Sequence, residues 1–136
     1  MIGTMLVSRT ASGLDESVTL VIGYRPDEDA PYDTLADAVD TLASAHALVQ
    51  LVAQQGFGPQ DLTSIPQWVG FPVPIGLAVG PDGVREAGRD RALDPPGATT
   101  RVIGDPRDPA VWYPLHDGAP EDGWPRFERL MRHLRP

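Results

Sequence analysis

The sequence predicts an α+β domain, an antiparallel sheet of hairpins with a long central helix and a C-terminal helix packed on one face. Three observations lead there. The longest regular stretch, Asp33 to Gln55, repeats its apolar residues at helical spacing. Short runs of β-branched and apolar residues come in pairs separated by turn-forming residues. A second amphipathic run closes the chain. At 136 residues the expectation is one domain, 1–136, long enough for a core and too short for two.

The elements follow in order. Thr4 to Arg9 and Ser17 to Tyr24 read as a hairpin around ASGLDE, and in the second run Val18, Leu20 and Ile22 make one face strongly apolar. RPDEDAPYD is a loop that delivers the chain to the main helix. There Leu35, Val39, Leu42, His46, Val49 and Ala53 form the stripe, Asp33 serves as N-cap, and Gly56 followed by Phe57 marks the stop. Leu48 and Leu51 make the second half apolar nearly all round, so that end needs a second cover, the following loop or another subunit.

Gly56 to Gly76 carries four prolines, which remove donors and restrict their predecessors, so an irregular segment is expected. Its Phe57, Leu62, Ile65, Trp68 and Phe71 fit a segment that wraps the core; a groove lined by Trp68 and Phe71 is the functional alternative. Ile75 to Val79 and Val84 to Gly88 read as a hairpin about Gly-Pro-Asp-Gly. RDRALDPPGA is a loop, Thr99 to Ile103 a strand, and Val111 to Leu115 a strand brought to an edge or an end by Pro114. WPRFERLMRHLR sets Phe127, Leu130, Met131 and Leu134 on one face of a last helix, Pro125 being tolerable in its first turn. The predicted order is β-β-α-β-β-β-β-α.

Composition excludes more chemistry than it assigns. There is no cysteine, hence no disulfide, thiolate ligand or cysteine nucleophile. All 11 basic residues are Arg, and neither Lys nor Asn occurs, a bias that fits a high-GC genome such as an actinobacterial one. Without Lys there is no Schiff base, phosphate-loop lysine or Ser-Lys dyad. A net charge of -8 argues against nucleic acid and favours a protein partner with a basic surface. The start, MIGTMLVSRT, lacks the features of a signal peptide, and no stretch reaches the ~20 apolar residues of a spanning helix, so a cytoplasmic protein without a membrane partner is expected.

Candidate acid/base residues are few. His116 beside Asp117 is the best, since a carboxylate neighbour can fix the imidazole tautomer; a polar loop end is the plainer reading. His46, in the apolar stripe, reads as a structural core histidine, and His133 as a complement to the last helix dipole. No zinc-ligand histidine pair, nucleophile elbow or phosphate loop is present, and no metal or cofactor is expected. Asp33, Asp37 and Asp40 lie on one side of the helix, where carboxylates can share a cation but more often form a solvated face. With Asp27, Glu28 and Asp29 they make the densest acidic run, while Arg126, Arg129, Arg132 and Arg135 make the last helix basic; either the two pair, or the acidic run is a docking surface.

The succession YDTLADAVDTLA, PIGLAVGPDGVREAG, DPAVWYPLHDG and a short terminal helix ending in RP resembles the actinobacterial immunity proteins that neutralise polymorphic toxins, over Tyr32 to Pro136. The resemblance implies a non-catalytic inhibitor of a toxin domain, with no catalytic residue carried over. Two other classes stay open. One is a small enzyme or ligand-binding protein of a biosynthetic cluster with a pocket under Trp68, Phe71, Trp112 and Tyr113 and His116 or His46 as acid/base. The other is a homodimeric adaptor that associates through the doubly apolar half of the main helix.

Overall fold

The computed structural model of the chain describes residues 2–11, 13–23, 25, 28–56, 58 and 72–136. They fall into two compact units, Met1–Ala30 with Phe57–Gly70, and Pro31–Gly56 with Phe71–Pro136. The wrapping segment with Leu62, Ile65, Trp68 and Phe71 lies outside the described residues, as do Tyr24 and Asp27.

The first unit contains an antiparallel hairpin, β1 (Ile2–Thr10) and β2 (Gly13–Val21). The expected second strand begins earlier than predicted, because Asp15 and Glu16 continue the ladder opposite Ser8 and Val7. Thr10 closes against Gly13, whose φ of 139° lies where glycine alone is at ease. The register puts Met5 opposite Val18 and Gly3 opposite Leu20, so Met5, Val7, Leu14, Val18 and Leu20 share one face. Every residue of β2 is exposed.

The second unit is a four-stranded antiparallel sheet in the order β3-β4-β6-β5, built from β3 (Gln50–Gln55), β4 (Val73–Val79), β5 (Arg101–Ile103) and β6 (Ala110–Pro114). Its helices are α1 (Tyr32–Ala45), α2 (Pro81–Ala87), α3 (Arg89–Leu93) and α4 (Gly123–Leu134). The α+β class is as expected. The order differs, since two helices stand between β4 and β5.

The long central helix is the principal correction. It spans Tyr32–Ala45 and ends on His46, whose N–H donates to Leu42 O while its own backbone turns extended. Gln50–Gln55 is a strand instead, paired with β4. Two contacts hold the break. Gly80 N–H donates to Val49 O, and a Cβ on Gly80 would overlap Leu48 O, so the backbone leaving β4 passes directly over the chain entering β3. At the other end Pro31, not Asp33, is the N-cap, and Asp33 sits in the first turn, where the helix dipole favours a carboxylate. The doubly apolar helical half therefore does not form and no helix reaches Gly56; Phe57 lies outside the described residues.

The Gly-Pro-Asp-Gly turn is a helix start. Gly80 is the N-cap of α2, Pro81 fills its first turn, where a missing N–H costs nothing, and Gly88 ends it with a φ of 90°. Gly88 O then accepts from Ala92 N, so RDRAL, expected as loop, continues as α3. The proline-rich stretch also yields the start of β4: Pro74 is buried where the pairing with β3 shifts register between Ala53 and Gln54, a bulge that removes the need for its absent N–H. Pro114 ends β6, but that strand is interior to the sheet, not at its edge.

Helices cover both faces of this sheet, not one. Val39 of α1 packs with Ala78, Ile103, Ala110 and Trp112, and Leu35, Ala36 and Ala43 close around them. On the other face Leu77, Val111 and Tyr113 pack with Val84, Ala92 and Leu130, and with Phe127, Met131 and Leu134 as the α4 periodicity predicts. Strand alternation sorts neighbours between the two cores, so Leu77 and Ala78, like Trp112 and Tyr113, go to opposite sides.

Candidate functional site

The acidic face of α1 is partly spent within the fold. Asp37 and Asp40 are one turn apart, and Arg101 of β5 reaches both, with Nη2 at 2.9 Å from Asp37 Oδ1 and 3.5 Å from Asp40 Oδ2. Asp40 Oδ1 also accepts Gly104 N–H at 2.9 Å, at a residue with φ of 75° that turns the chain out of β5. The pair therefore clamps helix to sheet. Among the described ion pairs the acidic run meets Arg101 and not the arginines of α4. Glu28, Asp29 and Asp33 are exposed, Glu28 accepting the Arg25 N–H. Among the described residues no cluster of His, Asp and Glu is arranged to hold a metal ion.

The candidate acid/base residues take other positions than the sequence implies. His46 is exposed at the end of α1 rather than buried in its stripe, because the helix stops there. His116 stacks on Tyr32, with ring centroids 4.0 Å apart and planes inclined by 23°, and Tyr32 Oη donates to Gln55 Oε1 at 2.9 Å. Asp117 does not orient His116; its Oδ1 accepts from Arg126 Nη1 at 2.8 Å. His133 Nε2 lies 3.0 Å from Arg91 O and ties α4 to α3.

The aromatic pocket does not assemble from Trp112 and Tyr113, which are buried on opposite faces of the sheet; Trp68 and Phe71 lie outside the described residues. Tyr113 donates its hydroxyl to Ala92 O at 2.8 Å, and burial pushes its pKa up to about 12.

Two surfaces could engage a partner or ligand. One is the hairpin, where Met5, Leu6, Val7, Leu14, Val18, Leu20, Val21 and Ile22 are between 45 and 72 % exposed. The other is a cavity of about 500 Å³ beside α4, where Arg126, Arg129, Arg132 and His133 face the turn Pro95–Ala98 over a floor of Leu115 and Leu130. The sequence shows α4 as basic, and the separations among Arg126, Arg129 and His133 place them on one helical face. The opposing wall is a tertiary product that no local pattern announces.

An α+β protein, with an apolar hairpin in one unit and a charged helical surface in the other, is the class these features define. The chain belongs to the DUF6177 C-terminal domain family, whose description matches residues 1–136. No curated protein and no solved structure matches it.

Proposed function

We propose that this chain is a non-catalytic protein-binding module that docks the β1–β2 hairpin on a partner with a basic surface. One observation carries the reading: five apolar side chains, Met5, Val7, Leu14, Val18 and Leu20, lie exposed on a single face of a regular ladder. Full burial of each would contribute ~1.5 to 3 kcal/mol, and an isolated two-stranded hairpin is at best marginally stable in water. An exposed apolar face of this kind, here carrying Arg9 and Glu16 among its apolar residues, is a recognition surface more often than an ornament of a monomer. The charge balance of -8, with Glu28, Asp29 and Asp33 exposed, favours a basic partner by long-range attraction, while the apolar face supplies the anchor. A toxin domain neutralised by an immunity protein is the particular partner class that the segment order brings to mind.

The test is surface-immobilised binding of the full chain to the product of the adjacent gene. Met5→Ser with Val18→Ser, at two exposed positions, should weaken binding by about tenfold or more through a faster off-rate. Unaltered kinetics in that variant remove the hairpin from the interface. Turnover of a small molecule by the chain, lost in His116→Ala, overturns the non-catalytic reading.

A further inference from the structure

The cavity beside α4 runs against the charge of the molecule. In a chain with 19 acidic and 11 basic residues, three arginines line this one depression against a single carboxylate, Asp117. That carboxylate is committed to Arg126, and neither Arg129 nor Arg132 has an ion-pair partner among the described residues. Arg126 is held in place: Nη1 donates to Asp117 Oδ1 at 2.8 Å and to Leu115 O at 3.3 Å, and the guanidinium lies so close over Gly118 that a Cβ there would overlap it. Both described bonds fall on Nη1, and Nη2 is the guanidinium atom nearest Gly118, so Arg126 stands as a preset, planar charge at the cavity beside Arg129 and Arg132.

Apart from His133, whose Nε2 is engaged with Arg91 O, the remaining side chains of the cavity are apolar. Its floor is Leu115 and Leu130, each only 4 % exposed, and its far wall contains Pro95, Pro96 and Pro114, which have no N–H to offer. Gly97, with φ of 72°, bends that wall, and Ala98 N–H closes the turn on Pro95 O at 3.4 Å. Hydrogen-bond donors are thus concentrated on the α4 side and apolar contacts on the other. The volume of about 500 Å³ lies within the range of small-molecule sites.

We propose that this cavity binds a small organic anion, an oxyanion head, phosphate or carboxylate, on an apolar body of about one aromatic ring. The head lies between Arg126, Arg129 and Arg132, where guanidinium forks match the geometry of either oxyanion. The body lies on Leu115 and Leu130 against the proline wall. This site is separate from the hairpin reading and stands or falls independently of it.

The experiment is a titration of the full chain, followed by amide NMR, with phenyl phosphate, benzoate and the neutral benzyl alcohol. Saturable shifts at Gly97, Ala98, Leu115 and Asp117 are expected with phenyl phosphate or benzoate at a Kd about tenfold or more below that of benzyl alcohol. The more tightly bound of the two anions identifies the head. Arg129→Gln with Arg132→Gln, both at exposed positions, should weaken that anion about tenfold, and either single change should weaken it by a smaller factor; Arg9→Gln on the hairpin should leave it unchanged. The proposal is overturned by absence of saturation with both anions, by equal affinity for benzyl alcohol, by undiminished binding in the arginine variants, or by equal loss in Arg9→Gln.

Discussion

The six-membered ring of Trp112 lies against the backbone of Gly76, on the neighbouring strand, so closely that a Cβ on residue 76 would overlap Cη2 and Cζ2. The glycine is needed for this approach and not for its backbone angles, since it is a regular strand residue opposite Pro114. Gly76→Ala should therefore destabilise the fold by roughly 1 to 3 kcal/mol through overpacking. Trp112→Phe removes the far edge of the ring, so the double variant should lose less than the sum of the singles by ~0.5 kcal/mol or more. Denaturant unfolding of the four proteins measures the coupling, and strict additivity would show that the close approach is not what Gly76 provides.

Tyr113 makes stability depend on alkaline pH. Its hydroxyl is neutral when protonated, and burial raises its pKa from 10.0 to about 12 in the folded chain. Between those values the unfolded chain binds fewer protons than the folded one, so stability falls as pH climbs through the window and levels above it. Tyr113→Phe should remove that part of the slope, while costing ~1 to 3 kcal/mol at neutral pH by leaving Ala92 O without its donor. Parallel unfolding curves for both proteins below and inside the window are the check; an identical pH slope refutes the assignment.

Asp37 and Asp40 share Arg101 but should not be equivalent. Asp37 makes one exposed ion pair, worth ~0 to 1 kcal/mol. Asp40 in addition accepts the Gly104 N–H, so Asp40→Ala should cost about 1 kcal/mol more than Asp37→Ala. Asp40→Asn, which keeps an acceptor oxygen, should recover most of the difference. Thermal unfolding of the three variants decides it, and equal losses in the two alanine variants would mean that only the charge matters.

His46→Leu distinguishes the observed helix from the longer one. A histidine within a buried stripe would shift stability by ~1 to 2 kcal/mol on replacement, whereas an exposed residue at a helix end should stay within ~0.5 kcal/mol. Urea midpoints read the difference directly. A change at the larger value would require His46 to be packed.

What the sequence makes legible is what local pattern determines. The existence of the hairpin and the Phe127, Leu130, Met131 and Leu134 face of α4 follow from periods of two and 3.6, and β6 from a short apolar run, with nothing local to compete. Gln50–Gln55 is different. Leu, Val, Ala and Gln continue the helical stripe as readily as they alternate along a strand, and only the ladder to β4 and the Gly80 to Val49 bond select the strand. Gly-Pro-Asp-Gly is equally two-sided, because the residues that build a turn also start a helix. The acidic run is visible as composition, but that Asp40 ties Gly104, 64 residues away, is not; nor is the proline wall opposite Arg126.

The charge of the molecule makes a final prediction about encounter with a basic partner. Glu28, Asp29 and Asp33 are exposed and stand outside the Arg101 clamp, so they can be reversed without opening it. Asp37, which Arg101 holds, should be left intact. Asp29→Arg with Asp33→Arg should slow association about tenfold while leaving dissociation nearly unchanged, because screened long-range attraction governs encounter more than the bound state. The native chain should itself lose association rate with salt as the Debye length shrinks from ~10 Å at 0.1 M to ~3 Å at 1 M, and the double variant should lose less. Association rates against the adjacent gene product across that range give both numbers. An on-rate indifferent to both salt and the reversals would dismiss the acidic run as a docking surface, even with the hairpin still binding.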